Sequence, residues 1–291
     1  MIHSKLLYNH EIRLSSELIL SPGQVGLMNG WGVFSTIKIV EGVLFAFPRH
    51  WARMRRDAEV MRVMFPWPPE EMEESLLRLV EANEAWNSTL RVTICRNRGT
   101  MWAGPVPATE VDLFAFTANR GDWGRAVKLG IVPQARHSAC RFAGTKVMSW
   151  AMNLIWYEEA HTSGLDETIL LNERDEVSEL TSANIFAAFG NVVVTPPLKS
   201  SGCLPGITRE LLLEQIDTGE ITVKEGVLTL DDLSRADGLF ISSSTRDLLP
   251  VAAVEGMSIG TDDRVRSMLL PSYRAYEQQY VATSARRAKR P

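Results

Sequence analysis

The hydrophobic period of this chain switches several times between two and about 3.6 residues without settling into a repeating strand–helix–strand rhythm. That pattern disfavours a doubly wound parallel sheet and predicts an α+β fold. Residues 34–39 alternate with a β-branched bias, and residues 43–47 resume after the turn signal Glu41-Gly42, which predicts a β-hairpin. Pro48 then opens a helical pattern through Trp51, Met54, Ala58, Met61 and Met64, closed by Pro66 and Pro68. A second helix is expected over 70–84, and strands over 90–95 and 111–117. The polar, glycine-bearing stretch 119–125 reads as a linker between an N-terminal domain (1–118) and a C-terminal one (126–291). Beyond it, strands are expected over 127–132, 168–171, 185–194 and 238–242, and helices over 150–162 and 207–216. There is no internal repeat, no G-x-G-x-x-G fingerprint and no P-loop.

Composition narrows the function classes. A chain of 291 residues with 45% apolar and 23% charged residues is long enough for one large or two smaller cores. A formal charge of -4 offers nothing to nucleic acid or to an anionic membrane surface. Three cysteines, Cys95, Cys140 and Cys203, without paired spacing argue against a disulfide framework and against a zinc site, and they suit a reducing compartment. The first residues lack the apolar stretch of a signal peptide, and no window reaches the length of a membrane span. The expectation is a soluble, cytoplasmic protein with no metal.

A lone lysine is ordinarily a solvated surface charge. Lys146 differs in its setting, because it follows Ala143-Gly144-Thr145 and precedes an apolar stretch read as helical, Val-Met-Ser-Trp-Ala-Met. Partial burial there would favour the neutral amine that carbonyl chemistry needs. Glu179 sits in a half-apolar run, residues 177–186, and a carboxylate entering such a strand requires a partner. A protonated pyridine nitrogen and an arginine both qualify. Pro205-Gly206 followed by Ile207 and Thr208 places free N–H groups of a first helical turn where an anion could bind, although an ordinary helix start has the same pattern. The cluster Ser242-Ser-Ser244-Thr-Arg246-Asp247 could hold phosphate or carboxylate, or form a plain surface turn.

Taken together and in order, these segments resemble the class IV (fold type IV) pyridoxal-phosphate enzymes, which include branched-chain and D-amino acid aminotransferases and 4-amino-4-deoxychorismate lyase. The likeness spans residues 26–251: Gly30-Trp-Gly-Val-Phe-Ser-Thr36, the His50-Trp-Ala-Arg53 helix, Lys146, Gly164-Leu-Asp-Glu, Glu179 to Phe186, Thr195-Pro196 and Leu204-Pro-Gly-Ile-Thr-Arg209. The resemblance implies a smaller N-terminal α/β domain and a larger C-terminal domain with the active site at their interface. It implies pyridoxal 5′-phosphate in Schiff-base linkage to Lys146, which also shuttles the substrate proton. Glu179 would pair with the pyridine nitrogen. Arg53, the N–H groups of Ile207 and Thr208, and the hydroxyl of Ser244 would hold the phosphate. Phe34 would line the substrate pocket, or simply fill the core of its strand. His50 reads as helix-capping structure.

The departures concern substrate. Ser35 stands where many aminotransferases of this class have glutamate. The loop 98–105 has neither arginine nor histidine at the places that match those of D-amino acid enzymes, the glycine- and arginine-rich loop of the lyase is also missing, and Ser149 and Trp150 replace the asparagine and tyrosine common beside the lysine. The function implied is an aminotransferase acting on a branched-chain-like or other amino acid and a 2-keto acid. The lyase is the alternative, and a non-catalytic binding protein of the same fold is a third reading. A homodimer is expected, with the loop around Trp102 helping to close the partner's site. Arg246 is the candidate for the substrate carboxylate.

Overall fold

The computed structural model describes residues 1–17, 25–99 and 109–288. Two compact units result. The first comprises residues 1–121, 145–150 and 279–291, and the second comprises 122–144 and 151–278.

The first unit is built on β1 (Ile2–Tyr8), β2 (Glu11–Leu14), α1 (Val25–Asn29), β3 (Gly32–Val40), β4 (Val43–Leu44), α2 (Phe47–Val60), α3 (Pro69–Ala82), β5 (Ser88–Arg96) and β6 (Val111–Asn119). Its six strands run in the order β2-β1-β6-β5-β3-β4, every pair antiparallel. The expected hairpin forms, and Glu41 (φ 50°) and Gly42 (φ 81°) supply the two positive-φ positions of its tight turn. Its second strand is shorter than expected, because Ala46 turns into the left-handed region and α2 begins at the next residue. The far end of α2 also comes early. Met61 caps it and Arg62 leaves at φ 53°, before either proline acts.

Strand alternation divides this sheet into two unlike faces. Leu7, Val33, Ile37, Leu90, Val92, Ile94 and Leu113 join Met54, Ala58, Met72, Leu76 and Leu79 of α2 and α3 in one buried cluster. The opposite face follows the cross-strand rows Leu6–Phe116–Arg91–Thr36 and Tyr8–Phe114–Thr93–Phe34. That face is aromatic, with the half-buried guanidinium of Arg91 and the buried Lys38 embedded in it.

The second unit contains β7 (Val127–Val132), α4 (Ala151–Thr162), β8 (Glu167–Leu171), β9 (Val177–Leu180), β10 (Asn184–Phe189), β11 (Val192–Thr195), α5 (Leu198–Ser201), α6 (Ile207–Glu214), β12 (Thr222–Glu225), α7 (Leu230–Arg235), β13 (Gly238–Ser243), β14 (Asp247–Val254) and the start of α8 (Arg264–Ala288). Its eight strands are ordered β12-β11-β10-β13-β14-β7-β8-β9, with parallel and antiparallel pairs mixed. The single strand expected over 185–194 is instead the β10–β11 hairpin, folded at Gly190 (φ 59°) and Asn191. The 25-residue α8 was not anticipated. Its buried residues Val265, Leu269 and Tyr273 recur every four positions, but the line is narrow and Pro271 falls within it, so the segment lacks the broad apolar face that marks a helix in sequence.

The expected division at 119–125 meets two differences. Residues 145–150 and the end of α8 group with the first unit. The former pair with β3, and Tyr280 packs edge-to-face on Phe45 with centroids 5.4 Å apart.

Candidate active site

In the first unit, the lysine segment lies along the free half of β3. Val147 bridges Val33, the Phe34 N–H donates to the Lys146 carbonyl (3.0 Å), and the Met148 N–H donates to the Gly32 carbonyl (2.9 Å). Ser149 Oγ donates to the Gly30 carbonyl (2.9 Å), and the Lys146 N–H donates to Asp57 Oδ2 (3.1 Å). The run after Lys146 is therefore extended, and the helix expected there begins only at Ala151. Lys146 is half-buried. Its Nζ lies 4.5 Å from the centroid of the Phe34 ring and 5.8 Å from that of Trp150, the two rings meeting edge-on.

Helix α2 carries His50, Arg53 and Asp57 at i, i+3 and i+7, one buried polar stripe on an otherwise apolar face. Ser35 reaches this stripe from β3, accepting from Arg53 Nη2 (3.0 Å) and sharing a hydrogen bond of 2.8 Å with His50 Nδ1. Burial, reinforced by the charges of Arg53 and Lys146, pushes His50 well below the ordinary histidine range, so its ring is neutral. The capping reading of His50 is thus corrected. The ring is a buried partner of Ser35, and α2 has no side-chain cap.

In the second unit, Glu179 Oε1 accepts from Arg136 Nε (3.0 Å) and Oε2 from the Leu204 N–H (3.0 Å). An arginine partner thus exists, yet a carboxylate has about four lone-pair positions, so a further donor is accommodated. Burial, with Glu179 nearby, pushes the Cys203 thiol up to about 11, so this thiol is inert at neutral pH. The turn leading into α6 is tied to β10 by Asn184 Nδ2, which donates to the Leu204 carbonyl (2.9 Å). Gly206 approaches Asn184 so closely that a Cβ there would lie 2.0 Å from Oδ1. Helix α6 starts with no capping side chain at Gly206, which leaves the N–H groups of Ile207 and Thr208 to an outside acceptor. It packs against β13, where the buried hydroxyls of Ser242 and Ser243 have no protein partner among the described residues. Ser244 follows in the turn. Uncapped helical N–H groups beside orphaned buried hydroxyls suit a phosphate monoester, so the donor set of this unit fits the phosphate end of pyridoxal 5′-phosphate.

The substrate candidates fare differently. Phe34 is buried on the sheet face away from the main hydrophobic cluster, with the lysine amine over its ring. Trp102 lies outside the described residues. Arg246 already has a partner: its Nη1 donates to Oε1 of fully buried Glu167 (2.9 Å), and its guanidinium stacks on Trp123 at 4.0 Å. Thr181 and Ser182 hydroxyls occupy the same carboxylate. A cation already matched to a buried carboxylate is poorly placed to meet another.

Arg91 was missed. Its guanidinium carbon lies 3.8 Å from the Phe34 ring centroid, on the same aromatic system as the lysine amine. It lines a cavity of about 300 Å³ together with Leu6, Thr93, Phe114, Phe116 and Met148, and burial lowers its pKa from the ordinary arginine value. The signal available was its phase: Arg91 and Thr93 alternate with Leu90, Val92 and Ile94, which sets a charge on the face away from the core.

A family model described as amino-transferase class IV matches residues 32–254. D-alanine aminotransferase of Bacillus licheniformis is 26% identical over 261 residues, covering 88% of this chain and 90% of that protein. The branched-chain-amino-acid aminotransferase of Salmonella typhimurium is 27% identical over 247 residues, covering 79% and 78%. The branched-chain amino acid aminotransferase of Thermobaculum terrenum, solved in its PLP (holo) form, shares the fold with a TM-score of 0.82 at 17% identity, over 96% of this chain and 95% of that one.

Proposed function

Since the chain belongs to the amino-transferase class IV family, we propose that it moves an amino group between an amino acid and a 2-keto acid with pyridoxal 5′-phosphate as its cofactor. The observation that carries this reading is the family match across residues 32–254, with Lys146 fixed by its main chain inside it.

When bound, the cofactor supplies a carbonyl carbon for the amino group and an electron-accepting ring. Lys146 Nζ takes the proton from the substrate Cα and returns it. Glu179 holds a proton on the pyridine nitrogen, with Arg136 and the Leu204 N–H orienting its carboxylate. Arg53 binds phosphate while Ser35 fixes its guanidinium, and the N–H groups of Ile207 and Thr208 and the Ser244 hydroxyl complete that grip. Phe34 gives the lysine an apolar wall. Arg91 offers a cation to a substrate carboxylate, the task first expected of Arg246.

The test is a panel of L- and D-amino acids added singly to cofactor-loaded protein. At least one should bleach the visible band, and 2-oxoglutarate or another keto acid should restore it. Arg91→Met should raise KM for that substrate about tenfold, as loss of a charge-assisted pair predicts, with kcat little changed. No response to any amino acid, with pyruvate released from aminodeoxychorismate alone, would mean lyase chemistry instead.

The same reading makes the protein a cytoplasmic homodimer. Three free cysteines suit a reducing compartment. No helix among the described residues is long and apolar enough to cross a membrane. On α4, Met152, Leu154 and Ile155 are each more than half exposed, with Phe142 also exposed nearby in sequence, an apolar surface that a second copy would cover. Sedimentation equilibrium should return twice the chain mass, and an active monomer at working concentration would refute the dimer.

A further inference from the structure

We propose that Asp57 is a positioning residue for Lys146, holding the peptide from which the amine projects. The inference rests on the reading of Lys146 given above and names a partner for it.

Asp57 occupies a costly place. It is 1% exposed on the face of α2 that also buries Phe47, Met54 and Ala58, and a carboxylate there needs both a counter-charge and hydrogen bonds. The two oxygens divide these tasks. Oδ1 accepts from Arg56 Nε (3.0 Å), whose side chain is nearly half exposed and neutralises the carboxylate from the solvent side. Oδ2 accepts from the Lys146 N–H at 3.1 Å.

The rest of the Lys146 backbone explains why that bond matters. Downstream, the Lys146 carbonyl, Val147 and the Met148 N–H are all tied to β3. Upstream, the chain arrives from Gly144 at φ +70°, a conformation open mainly to glycine, and the Thr145 carbonyl accepts a local bond from the Val147 N–H (3.1 Å) rather than one from β3. The Asp57 bond thus ties the peptide plane on the amino side of Lys146 to α2, where its other bond, from the Val147 N–H, is local to the segment. A long side chain amplifies any rotation of that plane. A tilt of about 10–20° spoils a catalytic placement, and a displacement of about 1 Å costs about 100-fold in rate. Arg53, one turn earlier on the same face, makes α2 a single rod bearing both the phosphate cation and the anchor of the lysine.

The experiment compares cofactor-loaded wild type, Asp57→Ala and Asp57→Asn. Residue-resolved hydrogen exchange should show the Lys146 amide protected in wild type and at least about tenfold less protected in Asp57→Ala, the factor expected for loss of a hydrogen bond to a charged acceptor. Covalent attachment of pyridoxal phosphate, followed by absorbance, should slow about tenfold or more in Asp57→Ala. Its kcat should fall with KM nearly unchanged. Asparagine retains an acceptor oxygen and should recover most of the loss, which a role confined to fold stability does not predict. An unprotected Lys146 amide in wild type overturns the proposal even if Asp57→Ala fails to fold. So does attachment at the wild-type rate in Asp57→Ala. Borohydride labelling of a different lysine in wild type would instead defeat the underlying reading of Lys146, an outcome distinct from either.

Discussion

Replacing Lys146 with alanine is expected to abolish turnover while leaving the fold intact. The lysine side chain is half-buried and its backbone bonds to β3 do not involve the amine, so truncation removes the amine's cation–π contacts with Phe34 and Trp150 but no ladder bond. The stability cost should be about 1 kcal/mol, within the ordinary range for point substitutions. Catalysis should fall by about 10⁴-fold or more, because covalent capture and proton transfer both depend on one amine. Borohydride treatment of loaded wild type should fix the cofactor on a peptide containing Lys146. The instructive competitor is Lys38, which is also buried. Labelling there, or full turnover by the alanine variant, would sink the assignment.

Glu179→Ala should lower kcat by about 100-fold or more and weaken cofactor binding much less. A carboxylate that keeps the pyridine nitrogen protonated acts when charge flows into the ring, which is the transition state rather than the bound state. The structure adds a complication absent from the sequence: alanine also strips Arg136 and the Leu204 N–H of their acceptor. A loss of about 1–3 kcal/mol in stability is expected from such a deletion. Glu179→Gln separates the two effects, since it keeps an acceptor for Leu204 while losing the charge. If glutamine supports wild-type kcat, Glu179 is an ion-pair partner of Arg136 and nothing more.

The candidates for holding the cofactor were legible in the sequence, because they sit in short motifs. The turn at 204–206 and the uncapped helix start at Ile207 follow from local backbone rules, and the structure reproduces them. The hairpin at Glu41-Gly42 was readable for the same reason. Long α8 was not, since its buried line of Val265, Leu269, Tyr273 and Val281 is narrow, set among polar residues and interrupted by Pro271. Residues 185–194 illustrate the middle case. Their apolar run signals strand correctly, but Gly190 decides between one strand and two, and the run alone does not say which.

Residue pairing across the chain lay beyond sequence reading altogether. Arg246 stands beside Asp247, yet its carboxylate is Glu167, 79 residues away and fully buried. Asp57 looks like one more charge on a helix until the chain brings Lys146, 89 residues later, to its Oδ2. Arg91 meets Phe34 only through the register of β3 with β5. The sequence by itself determined the α+β class and marked Lys146, Glu179 and the turn before Ile207 as candidates, because each stands out by residue type, spacing and local backbone preference. The tertiary structure decided which charges are buried against which partners. Burial and long-range register are properties of the closed chain, and they set the partner, and hence the role, of a charge that local sequence leaves open.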